Sequence, residues 1–162
     1  MSVADEFKQA ADEHRARHTG AGMSPRPERK VAVVACMDAR LDLFGILGLE
    51  VGDAHLIRNA GGVVTDDVIR SLTISQRFLG TEETVLVHHT GCGMLGFTED
   101  EFRAELETEV GQRPTWSAEA FSDLDADVRQ SMERIRTSPF LRSREVRGFV
   151  YDVENGELRE VR

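Results

Sequence analysis

Cysteine is nearly absent from this chain, with two in 162 residues. That is too few for the disulfide framework of a small secreted domain, and thiols so sparsely used fit ligands or nucleophiles in a reducing compartment. No apolar run approaches the roughly 20 residues needed to cross a bilayer. The charged, amphipathic N-terminal segment also lacks the apolar core of a secretion signal, so the expectation is a cytoplasmic protein with no membrane partner. Positive charge is in deficit: 20 Lys and Arg against 29 Asp and Glu give a net charge of -9 and a pI near 5.0. Such a surface repels nucleic acid, which is excluded as the main partner without a local basic patch. Internal repeats and low-complexity tracts are missing too, which removes solenoid and linker architectures.

What remains is ordinary globular material, 40% hydrophobic and 30% charged, of a length that suits one domain with a real core. Residues 3–18 have helical spacing but a thin apolar stripe of Phe7, Ala10, Ala11 and His14, marginal unless it lies on another surface. Residues 1–29 are therefore expected to be a helical arm and linker, and residues 30–162 a single α/β domain. Within it, Val31-Ala32-Val33-Val34-Ala35-Cys36 is a continuous apolar run of the kind expected for a strand covered on both faces. Further strands are predicted at 54–58, 84–89 and 146–153. Helices are predicted at 41–49, from Thr65 to Gly80, from the capping box Thr98-Glu99-Asp100-Glu101 to about Val110, and at 122–136 with Ser122 as its cap. Val68, Ile69, Leu72, Ile74, Phe78 and Leu79 supply the second helix with its apolar surface, and Glu154-Asn155-Gly156-Glu157 resembles a type I′ turn into a short return strand. Alternating strands and helices imply a mainly parallel β-sheet flanked by helices, with a C-terminal edge strand or hairpin.

Both cysteines end predicted strands. Cys36 opens Cys36-Met37-Asp38-Ala39-Arg40 and Cys92 closes His89-Thr90-Gly91-Cys92. The carboxyl edge of a parallel sheet is where α/β proteins place ligands, so two such strand ends bring Cys36, His89 and Cys92 together. Two thiolates and an imidazole suit Zn2+, and a three-residue set leaves a fourth position open, as in catalytic rather than structural sites. His88 projects to the opposite face if the strand runs through both histidines. Asp38, read from the residues alone, either caps a helix or pairs with Arg40. Gly61 and Gly93 allow close backbone approach or simply tight turning, and Val63, Phe44 and Leu95 are candidates to wall a small apolar pocket. Asn59-Ala60-Gly61-Gly62 matches neither a P-loop nor a dinucleotide fingerprint.

Cys36-x-Asp38-x-Arg40 together with His89-x-x-Cys92, supported by Arg58-Asn59-Ala60-Gly61-Gly62 and Tyr151-Asp152-Val153, resembles the β-class carbonic anhydrases. The resemblance implies Cys36, His89 and Cys92 as zinc ligands and Asp38 and Arg40 as a catalytic pair beside the metal. In that pair Asp38 orients zinc-bound hydroxide or closes the site as a fourth ligand. It also places the loop of Gly61 near the active-site cleft, while Gly93 flanks the implied ligand Cys92. Ala39 stands where many relatives have serine, and spares every residue that carries chemistry. The implied reaction is reversible hydration of carbon dioxide to bicarbonate. The implied assembly is a homodimer or dimer of dimers, with the first helix on the neighbour. Two alternatives stay open: hydrolysis of carbon disulfide or carbonyl sulfide at the same site, and a non-catalytic zinc/thiol regulatory protein.

Overall fold

The computed structural model describes residues 2–162. Five strands, β1 (Val31–Cys36), β2 (Ala54–Asn59), β3 (Glu83–His89), β4 (Val146–Tyr151) and β5 (Leu158–Val161), form one sheet in the order β2-β1-β3-β4-β5. The first four strands pair in parallel and β5 closes one edge antiparallel to β4. The chain leaves β1 toward β2 on one side and returns to β3 on the other. The carboxyl ends of β1 and β3 thus flank a topological switch point, where open α/β sheets bind ligands. The helices are α1 (Val3–Arg15), α2 (Leu43–Leu47), α3 (Asp66–Phe78), α4 (Glu99–Val110) and α5 (Leu124–Thr137).

Strand alternation sends Ala32, Val34 and Leu86 to one face, where Val68 and Leu72 of α3 and Val128, Met132 and Ile135 of α5 cover them. Val33, Ala35 and Val87 face the other side with Leu41, Leu43, Met94 and both cysteines. Burying side chains such as Leu72, Leu86 and Ile135, fully enclosed, stabilises the fold by about 1.5–3 kcal/mol each. Gly148 lets α5 approach β4, since a Cβ there would lie 2.2 Å from Val128 Cγ1. The capping box of α4 forms as its sequence predicts, with Thr98 and Glu101 satisfying each other's backbone N–H.

Four local expectations are corrected. The cap of α5 is Asp123, whose carboxylate accepts from the Ala126 N–H, and not Ser122. The first of the domain's helices shrinks to Leu43–Leu47, because Gly48 adopts a left-handed C-cap at φ 59°. Ile74 and Phe78 face outward from α3, at 40% and 70% exposure. The β4–β5 turn is not type I′: Gly156 alone has positive φ in it, and its N–H reaches back to the Asp152 carbonyl. None of α1 is buried, so this helix adds nothing to the core of the described chain.

Candidate metal centre

β1 delivers Cys36 at its last residue and β3 delivers His89 at its last, and the turn after β3 carries Cys92 back beside them. All three are buried, and their donor atoms lie within 4.8 Å of one another. Among the described residues they form the cluster of His, Cys, Asp and Glu side chains able to hold a metal ion. The sulfurs are 3.9 Å apart, well beyond a disulfide bond. Two sulfurs each at about 2.3 Å from a tetrahedral zinc would stand about 3.8 Å apart. His89 Nδ1 lies 2.9 Å from the Thr90 carbonyl oxygen. A carbonyl only accepts, so Nδ1 carries the proton and Nε2 keeps its lone pair. That Nε2 is buried without a hydrogen-bond partner, an orphan acceptor between two thiols. The donor set therefore fits a thiophilic divalent cation on the observation of its own unsatisfied chemistry.

The turn holding His89 and Cys92 is tied down from β4. The Thr90 N–H donates to the Tyr151 carbonyl, its hydroxyl donates to Asp152, and the Val153 N–H donates back to that hydroxyl. Of the two thiols Cys36 ionises more readily. Its hydrogen bond with Cys92 lowers its pKa, against the cost of burial, with help from His89 and the Asp38 and Gly61 amides. Cys92 is pushed up by that same bond and by burial, with the Met94 amide opposing.

Asp38 stands at the rim. Arg40 grips it as a fork, Nε to Oδ1 at 2.9 Å and one terminal nitrogen to Oδ2 at 2.8 Å, while the Arg40 N–H adds a third bond. These bonds hold the Asp38 carboxyl well below the usual carboxylate range. The same guanidinium donates to the Gly91 carbonyl at 3.0 Å, tying the fork to the turn of the donor set. Asp38 Oδ2 lies 3.7 Å from His89 Nε2.

His88 leaves the cluster for the opposite face, where its Nε2 is 2.6 Å from Asp127 of α5. Gly61 has φ 82° and is crowded by Val63, Met94 and Phe121. Gly93 meets open space, and nothing in its surroundings demands glycine. Val63, Phe44 and Leu95 do not gather into one pocket. Phe44 lines a groove of about 480 Å³ along β2 and α3, and Leu95 a different one of about 350 Å³ beside Phe97 and Phe121. The apolar hollow sharing Asn59, Ala60 and Met94 with the loops of the cluster has about 440 Å³ and is walled by Phe97, Phe102 and Trp116. Arg58 has a larger part than its residue type announces. It donates to the Cys36 carbonyl at 2.9 Å and to the Asp38 carbonyl at 2.7 Å, fixing the loop that carries both. In the parallel register it stands opposite Ala35, a placement that only the assembled sheet provides.

A family model described as carbonic anhydrase matches residues 31–115. Beta-carbonic anhydrase 1 of Mycobacterium tuberculosis (strain ATCC 25618 / H37Rv) is 58% identical over 136 residues, covering 83% of each chain. A carbon disulfide hydrolase of Acidithiobacillus thiooxidans is 34% identical over 153 residues, covering 81% of this chain and 76% of that protein. Among solved structures, the carbonic anhydrase of Streptococcus mutans superposes with a TM-score of 0.93 at 41% identity, covering 100% of this chain and 99% of that one. The chain belongs to the β-class carbonic anhydrase family, and its cofactor is zinc.

Proposed function

We propose that this protein catalyses the reversible hydration of carbon dioxide to bicarbonate, with Cys36, His89 and Cys92 holding the zinc and Asp38 and Arg40 working beside it. The observation that carries the reading is the orphan Nε2 of His89 facing two thiols, with a carboxylate pinned at 3.7 Å from it. Zinc held by these three residues would act as a Lewis acid and bring the ionisation of water within reach of neutral pH. The rest of the work falls to the chain. The Arg40 fork keeps Asp38 ionised and turned from the donor cluster, where it accepts a hydrogen bond from the reacting oxygen and orients it. Amides facing both sulfurs temper the charge that two thiolates supply. The hollow bounded by Met94 and Phe97 offers an apolar approach to a small uncharged substrate. Gly61 belongs to that approach through its crowded turn, and Gly93 only through its place in the chain.

Residues 30–162 form the zinc-binding unit and residues 1–29 its arm. The exposed Val3 and Phe7 on α1, Leu56 on the edge strand β2, and Ile74 and Phe78 on α3 support a homodimer in which the arm lies on a second copy. Free thiols that must remain ligands suit the cytoplasm. Carbon dioxide is preferred to carbon disulfide as substrate because the 58% identical relative is a carbonic anhydrase, whereas the disulfide hydrolase reaches 34%.

Stopped-flow hydration of carbon dioxide on zinc-quantified protein tests this. One zinc per chain with activity rising toward alkaline pH is the expected result. Full zinc loading with no carbon dioxide turnover, and sulfide release from carbon disulfide instead, overturns it.

A further inference from the structure

The buried face of α5 is not uniformly apolar. Among Val128, Met132 and Ile135 it carries Asp127 and Ser131, at 7% and 1% exposure, and Arg134 follows at the rim. Positions 127, 131 and 134 are spaced i, i+4 and i+7, so they form one stripe along the helix. Burying polar groups on a core-facing helix costs stability unless each finds a partner, and every one of these does. Ser131 Oγ accepts from the Val64 N–H at 3.2 Å, and Arg134 donates to the Val64 carbonyl at 2.7 Å. Asp127 holds His88, the residue before His89 on β3.

Val64 ends a turn that leans directly on Cys36. At Gly62, φ is 72° and a Cβ would lie 2.8 Å from the Cys36 nitrogen and 3.0 Å from the Ala35 carbonyl carbon, so only glycine allows the approach. Asn59 Nδ2 donates to the Val63 carbonyl at 2.8 Å. A second brace comes from Glu119, a non-glycine residue held at φ 59°, whose carboxylate pairs with Arg134 at 3.2 Å. A residue kept in the left-handed region needs surroundings that over-determine it. Two residues on from Glu119, Phe121 packs on Gly61 and on the His88 ring.

We propose that Asp127, Ser131 and Arg134 are positioning residues for the metal centre: from the far side of the sheet they set the Gly61–Val64 turn against Cys36 and hold β3 in the rotation that points His89 at the two sulfurs. None of them touches metal or substrate. They act through the turn packed on the Cys36 backbone for one ligand and through His88 on the strand of another, as outer partners of metal ligands do when they fix orientation.

The test uses the zinc-loaded full chain. Ser131→Ala and Arg134→Met each remove one partner of Val64, and Arg134→Lys restores a donor. Ile135→Val, one residue along the same helix, shortens a fully buried side chain of the same core while leaving both hydrogen bonds to Val64 in place, and controls for general destabilisation. Zinc transfer to a chelator is read first. The sulfur-to-metal absorption of the cobalt-substituted protein is read second, because it reports the geometry around Cys36 and a merely structural role would not move it. The expected result is zinc affinity about 10-fold weaker with a shifted cobalt spectrum in Ser131→Ala and Arg134→Met, recovered in part by Arg134→Lys, and parental values in Ile135→Val. Parental affinity and spectrum in the stripe variants overturn the proposal, as does an equal change in Ile135→Val. Should Arg134→Met fail to fold, Ser131→Ala decides alone, since it removes only a hydroxyl. The inference rests on the zinc-ligand reading above. A parent protein that binds no zinc would overturn that reading, a result distinct from a zinc-loaded parent whose variants do not differ from it.

Discussion

The donor triad and the Asp38–Arg40 fork are neighbours, with Asp38 Oδ2 3.7 Å from His89 Nε2, yet they are built in opposite ways. Cys36, His89 and Cys92 are enclosed by the sheet, and their positions follow from strand ends and a turn locked through Thr90. The fork sits at the rim, with the Asp38 side chain 19% exposed and that of Arg40 50%, and its shape comes from short-range bonds between those two residues, steadied by the Gly91 and Arg58 ties. Buried donors with one unsatisfied lone pair gain most from a metal, because the alternative is an unpaired polar atom in the core. An exposed ion pair contributes little to stability, so the fork's value lies in where it holds a charge. The comparison predicts that damage to the triad removes the metal, whereas damage to the fork leaves the metal and removes the chemistry.

The largest effect is therefore expected from Cys92→Ser. A hydroxyl is a poor zinc ligand, and zinc content measured after dialysis falls from one per chain to near zero together with all carbon dioxide hydration. His89→Ala does the same, while His88→Ala, on the other face of β3, keeps stoichiometric zinc; the reverse pattern would reassign the ligand. Asp38→Asn comes next in size. It keeps its zinc and loses about 10- to 100-fold in activity, and full activity in this variant would remove Asp38 from the mechanism.

Much of this contrast is legible in the residues, and the parts that are not share a physical cause. The β1 run reads to the residue because both of its faces are covered, so its apolar character is unbroken from Val31 to Cys36. The α4 start reads equally well, because a capping box is a local bargain between Thr98 and Glu101. Separation of the two histidines follows from the period of a strand. Choosing between Ser122 and Asp123 as the α5 cap turns on one residue of register, which two adjacent cap-forming types do not fix. Ile74 and Phe78 read as part of one apolar surface because spacing marks an apolar face without showing how wide a neighbour covers it. Arg58 carries no readable role because its partners are carbonyls of Cys36 and Asp38, and every residue has a carbonyl. The Val63, Phe44 and Leu95 wall fails for a related reason: which side chains converge across the sheet is a tertiary fact with no local spacing to announce it.

The smallest expected effect sharpens the comparison most. In the parent, Arg40 holds the Asp38 carboxyl below the usual range. The stability this pairing contributes is present above the ordinary carboxylate pKa and is lost only as the pH falls through the depressed folded value. Between about pH 6.5 and 9, Asp38 thus stays ionised and the pairing adds no slope to a stability profile. Arg40→Gln removes the fork, lets the Asp38 pKa return toward about 3.9, and still leaves Asp38 ionised over that range. Any change in the activity profile there reports position and not titration. A carboxylate freed beside His89 Nε2 can swing into the cluster as a fourth protein donor, so Arg40→Gln should keep its zinc, lose little in thermal midpoint, and lose activity several-fold. Stopped-flow and metal analysis on one preparation check this. Unchanged activity with the fork gone would mean that Asp38 keeps its place without Arg40, and the rim would then owe its geometry to the Cys36–Arg40 loop and the Arg58 bonds beneath it.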